Sequence, residues 1–201
     1  FTKKGEFILQ DINLMFNKGK KYGIVGSSGA GKTTLIDMIF GLLKPSKGKF
    51  FLNGKSLNES KLMSFQEKIM YISQNNFILD ENLMDNILFG SKYSKKKLTK
   101  AATDANLIDV ILSKPKKWFY KAGDRGSMLS GGQKQRISLA RGFYRDASIL
   151  VLDEATNALD NQKEKEVLKT IWSYIPSLTV IIIAHRLTTV KDCDEIIVLE
   201  K

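Results

Sequence analysis

Cysteine is nearly absent. Cys193 stands alone in 201 residues, so no internal disulfide can form, and a reducing compartment suits the chain. Arginine is scarce too: five of the 32 basic residues are arginine and the rest lysine. No apolar run approaches the roughly 20 residues of a membrane-crossing helix. The longest, Thr179–Ala184, has the length of a buried strand. Internal repeats and low-complexity linkers are lacking, which excludes a repeat array or a linker-rich assembly.

What remains is an ordinary globular composition, 43% hydrophobic and 26% charged. The length suits one domain, or one domain with an inserted lobe. Net charge is 32 − 21 = +11. A basic balance can mean nucleic acid or an anionic membrane. Here the densest run, SKYSKKKLTK over residues 91–100, carries only Tyr93 as an interleaved aromatic. The lysines are read first as a solvated face, with a nucleic-acid or lipid contact as the alternative.

The order of elements is legible from periodicity. Phe7–Phe16 alternates in part, and Asn53-Gly54 beside Lys49–Leu52 is a hairpin signal. Tyr22–Gly26 is a short apolar strand followed by a helical pattern, Thr33–Leu43, ending near Pro45. Met70–Ser73 is another strand. From Asn75 to about Arg145 the pattern turns helical, as at Leu98, Ala101, Ala102, Ala105, Leu107 and Ile108. Strands return at Ile149–Leu152, Val180–Ala184 and Ile196–Leu199, with a helix-like stretch over Asn161–Tyr174. Apolar strands alternating with helices predict an α/β fold with a parallel sheet covered on both faces.

Three motifs carry chemistry. Gly26–Thr34 reads GSSGAGKTT and fits the phosphate-loop pattern G-x-x-x-x-G-K-[ST]. Gly26, Gly29 and Gly31 let the backbone approach phosphates, with Ser27, Ser28 and Ala30 between them. The helix after them adds its positive end. Lys32 supplies a point charge to the β- and γ-phosphates and Thr33 a hydroxyl for Mg²⁺, with Thr34 beside them as a further nucleotide-binding candidate. Ile149–Glu154 reads ILVLDE: the strand delivers Asp153 to the ligand edge of the sheet, where it can hold Mg²⁺. Glu154 stands where it can orient or deprotonate an attacking water. Leu129–Gln133 reads LSGGQ, a second glycine-rich loop opening a helix to about Tyr144. Ser130, Gly131, Gly132 and Gln133 can form a second anion site. Two phosphate-gripping loops on one nucleotide imply two bodies that close on each other.

The order of these three motifs resembles the ATP-binding cassette (ABC) family over nearly the whole chain. The resemblance implies a P-loop NTPase core of RecA-like type, an N-terminal antiparallel β subdomain and an inserted helical subdomain. The expected division is residues 1–74 and 146–201 for the core and 75–145 for the helical part. LSGGQ is similar to the family signature, which contacts the γ-phosphate of ATP held by the partner subunit. Gln74 resembles the Q-loop glutamine that reaches Mg²⁺ and water. His185, in AHRLTTV, resembles the switch histidine on the γ-phosphate. Asn157–Asp160, NALD, resembles the D-loop, although serine is more usual at its first position. Phe1 lies near the family's adenine-stacking aromatic. The implied ligands are ATP and Mg²⁺, the latter held by Thr33, Gln74 and Asp153.

Three stretches resemble the exporter branch: ENLMDNILFG over 81–90, GDRGSML over 123–129, and AHRLTTV. At Lys121 exporters often carry glutamate instead. The implied function is the ATPase domain of an exporter or flippase, at the cytoplasmic face of the cell (inner) membrane. Its partners would be a second nucleotide-binding domain, head to tail, and a transmembrane domain contacting residues 74–90. The chain starts at Phe1 and stops at Lys201 just after a strand-like run, so it is expected to belong to a longer polypeptide carrying the membrane spans. A soluble ABC ATPase acting on DNA or the ribosome is the alternative reading. A non-hydrolysing nucleotide switch would lack Glu154 or His185, and both are present.

Overall fold

The computed structural model describes residues 2–3, 6–7, 9–73, 76–153, 168–173, 177–184 and 187–200. The chain opens with a short antiparallel pair, β1 (Thr2–Lys3) and β2 (Glu6–Phe7). Residues 9–16 form no strand, so the alternation expected over Phe7–Phe16 does not extend into a ladder. Next come β3 (Lys21–Gly26) and α1 (Lys32–Ile39). The helix stops short of the expected Leu43. Gly41 turns left-handed at φ 69°, and the amides of Leu42 and Leu43 fold back to Asp37 O, a C-terminal closure that needs glycine's freedom. A second antiparallel pair, β4 (Phe51–Leu52) and β5 (Lys55–Ser56), closes through Asn53 and Gly54 at φ 52° and 73°, as a two-residue hairpin requires.

The helix α2 (Glu59–Gln66) was not legible in the pattern. Its Met63 is 71% exposed, and it presents no buried stripe to generate a period. It leads into β6 (Ile69–Ser73) and then the helical region: α3 (Leu83–Leu88), α4 (Lys95–Asp104), α5 (Ile108–Ser113) and α6 (Gly131–Tyr144), with 3₁₀ turns at Lys117–Phe119 and Asp124–Gly126. Asn106, at φ 52°, separates α4 from α5. The apolar spacing from Leu98 to Ile108 therefore serves two helices. Five more elements complete the described chain: β7 (Ile149–Asp153), α7 (helical over 168–173), β8 (Thr179–Ile183), α8 (Leu187–Val190) and β9 (Glu195–Leu199).

Strands β6-β7-β8-β3-β9, in that order, form one parallel sheet. Side chains alternate between its faces. Ile72, Leu150, Leu152, Val180 and Ile182 belong to the core shared with α3–α6. Tyr22, Ile24, Val151, Ile181 and Ile183 join Leu35 and Ile36 of α1. Burial of β7 and β8 on both faces explains why those strands read as continuous apolar runs.

Close packing in β3 sets one stability prediction. A Cβ on Gly23 would lie 2.7 Å from Val190 Cβ on α8. Gly23→Ala should destabilise the fold by about 1–3 kcal/mol through overpacking. Thermal unfolding should register that as about 2–4 °C per kcal/mol. Among the described residues no helix is long and apolar enough to cross a membrane.

Candidate active site

The phosphate loop begins where β3 ends. Ser27, Ser28 and Gly29 are exposed, while Ala30 is buried beneath them. Gly29 and Gly31 sit at φ 79° and 93°, conformations that side chains rarely adopt. A Cβ on Gly26 would meet Leu199 O at 2.5 Å, so β9 also selects glycine there. The N-terminus of α1 has no side-chain cap. Its first-turn amides therefore remain donors awaiting an acceptor, and an anion is the partner that the helix dipole favours.

Lys32 folds back over this loop. Its Nζ donates to Gly26 O at 2.7 Å and Ser27 O at 3.0 Å, and the residue is only 9% exposed. An ammonium has three donors. Two brace the loop, and the third is not used by it. Thr33 is exposed and Thr34 half-buried beside it.

Asp153 closes β7, paired in register with Ser73 of β6. Tyr71 Oη donates to Asp153 Oδ2 at 2.5 Å. Burial first, then the hydrogen bond to Asp153 and its charge, hold the Tyr71 phenol protonated well above its ordinary range. The phenol is thus a donor to that carboxylate. Sequence reading missed this residue.

The second glycine loop is a built helix start. Ser130 N donates to Gln133 Oε1 at 3.1 Å, and Gln133 N donates to Ser130 Oγ at 3.3 Å. This capping box fixes the entry into α6. Ser130 and Gly131 are exposed. Further along α6, Arg141 is 5% exposed. Its guanidinium donates to Asn86 O at 2.6 Å, Asn86 Oδ1 at 2.8 Å and Phe77 O at 2.5 Å. Burial first, and the like charge of Arg145 second, bring its pKa down to about 10. Arg141 ties the signature helix to the 77–86 segment, a link that no local pattern announces.

The chain leaves β3, β6, β7 and β8 at one edge of the sheet, because all four run parallel. The phosphate loop and Asp153 stand at that edge. Gln74, Glu154 and His185 follow β6, β7 and β8 closely in sequence, but lie outside the described residues, as do Phe1 and Asn157–Asp160.

Comparison with known proteins places this geometry. Residues 9–157 match the family described as ABC transporter. The chain is 40% identical over 195 residues to ABC transporter B family member 24, mitochondrial, of Arabidopsis thaliana, covering 96% of the chain and 29% of that protein. It is 36% identical over 202 residues to the ATP-dependent lipid A-core flippase of Alkalilimnicola ehrlichii, covering 100% of the chain and 34% of the flippase. A bacterial Atm1-family ABC exporter solved with ATP bound superposes with a TM-score of 0.90 at 32% identity. That match covers 98% of the chain and 35% of the exporter. The chain thus spans about a third of the length of these relatives. It belongs to the ABC transporter family.

Proposed function

We propose that the chain powers export or lipid flipping by a larger membrane protein, working as one half of a head-to-tail pair. The likeness of almost its whole length to an exporter holding ATP carries this reading.

In this reading Gly26–Thr34 cradles the nucleotide phosphates, and the third ammonium donor of Lys32 reaches the β- and γ-phosphates. Mg²⁺ fits the donor set. Thr33 and Asp153 offer hard oxygens, with Gln74 as a third, and the described residues hold no cluster of three or more His, Cys, Asp or Glu. The phosphates would complete the shell. When bound, the cation neutralises charge on the β- and γ-oxygens.

Glu154 takes a proton from water as its oxygen attacks the γ-phosphorus. The bond to the β–γ bridging oxygen breaks and ADP leaves. His185 donates to the γ-phosphate, and Phe1 stacks on the adenine. Ser130, Gly131, Gly132 and Gln133 come from the opposite copy and donate to the same γ-phosphate. Donors that meet the charge as it develops are worth most in a closed, dry site. Residues 74–90 contact the membrane part. Arg141 would carry motion there from the signature helix, since it already bonds both. The site would face the cytoplasm at the cell membrane, and residues 1–74 with 146–201 would form the core around the 75–145 helical lobe.

The complete polypeptide tests the membrane reading. It should stay in the pellet when membranes are washed with alkaline carbonate, and its ATPase should be indifferent to added nucleic acid. Release by carbonate, together with stimulation by DNA or ribosomes, would overturn it.

A further inference from the structure

The Tyr71–Asp153 contact has a geometry that strand pairing alone does not require. In the parallel register of β6 and β7, Tyr71 faces Val151 and Ser73 faces Asp153. Residues 71 and 153 therefore share one face, two positions apart. Two residues of parallel strand cover about 7 Å, a gap that the phenol bridges to reach Oδ2. On its other side the Tyr71 ring meets Phe40 edge-on, with centroids 5.3 Å apart at 79°. Phe40 is the C-cap of α1, 9% exposed, and its carbonyl accepts from Gln66 Nε2 at 2.9 Å. The hydroxyl is thus anchored through α1, the helix whose first turn holds Lys32 and Thr33.

A phenylalanine would make the same ring contact. The hydroxyl adds one thing: it donates to Oδ2, which restrains rotation of the carboxylate. Mg²⁺ demands near-ideal octahedral geometry, and outer-shell partners that orient a ligating carboxylate typically change metal affinity or activity 10–100-fold. We propose that Tyr71 is a positioning residue that orients the Asp153 carboxylate for the divalent cation of the nucleotide. This rests on the reading of Asp153 as a cation-holding residue.

Tyr71→Phe tests it, because the ring and its Phe40 contact remain. The probe is Mn²⁺, titrated by electron paramagnetic resonance with a non-hydrolysable ATP analogue bound. Mn²⁺ affinity should fall about tenfold in the variant. Its melting temperature, and its affinity for the analogue in EDTA, should match the parent. An equal loss of analogue affinity in EDTA would make Tyr71 a support of the fold and overturn the proposal. Asp153→Asn separates the two readings. If it weakens Mn²⁺ binding while Tyr71→Phe does not, the positioning role alone fails. If neither variant moves Mn²⁺ binding, the cation role of Asp153 fails and takes the proposal with it.

Discussion

Lys32→Ala should lose ATP binding by at least roughly tenfold and hydrolysis almost entirely. A hydrogen bond to a charged group contributes about 1.5–3 kcal/mol, and each 1.4 kcal/mol is a factor of ten. Here one ammonium serves two purposes. It braces the loop through Gly26 O and Ser27 O, and in the proposed reading its third donor goes to phosphate. Alanine removes both, so the loop loses order as the ligand loses its charge partner. Equilibrium binding of a fluorescent ATP analogue, with turnover measured beside it, checks the outcome. Near-parental turnover would sink the assignment of this loop. The same variant reports on sharing between copies. Ser130→Arg pushes a bulky side chain into the exposed start of α6 and should also be inactive alone. A mixture of the two contains heterodimers with one intact site: the phosphate loop of the Ser130 variant against the signature of the Lys32 variant. Activity should return in part. Parental specific activity should also climb with protein concentration, and a flat response down to monomer would refute a shared site.

The contrast between Lys32 and Tyr71 shows what the sequence made legible. The phosphate loop is local: nine consecutive residues state where glycine, lysine and threonine stand, and the backbone has little choice. The same holds for Asn53-Gly54, for the ILVLD strand and for the helix after Ser130, each found close to its expected place. Locality fails where a contact joins distant stretches. Tyr71 and Asp153 are 82 residues apart, and Arg141 and Asn86 are 55 apart. Nothing near Tyr71 says that β7 is its neighbour, and an arginine in a helix that also carries Arg136 reads as one more solvated charge. The end of α1 was missed for a different reason. Apolar spacing continues through Leu42 and Leu43, while the left-handed Gly41 stops the helix. The signal was present in a single glycine, and the period outweighed it. Position in the chain was thus readable for the loops. What their side chains do with a nucleotide depends on chemistry that spacing does not state.

Glu154→Gln should bind ATP like the parent yet turn it over about 10²–10⁴-fold more slowly, the range that a positioned general base contributes. The amide keeps the size and cannot accept the water's proton. The parallel sheet makes the substitution informative. The strand β7 delivers Asp153 to the edge where the phosphate loop opens, held by Tyr71 and its register to Ser73, and Glu154 is the next residue in sequence. Changing the next residue should therefore leave the nucleotide's grip intact and remove only the proton acceptor. If opening of the pair waits on hydrolysis, the closed, ATP-loaded dimer should accumulate. Size-exclusion chromatography should show it with ATP and not with ADP. A variant that hydrolyses ATP at the parental rate would remove Glu154 from the chemistry. A variant that is slow but stays monomeric with ATP would keep Glu154 as the base and break the link between hydrolysis and opening. That link is what converts an ATPase into a transport motor, because only a cycle that closes on binding and opens on cleavage can pull on a membrane partner in alternation.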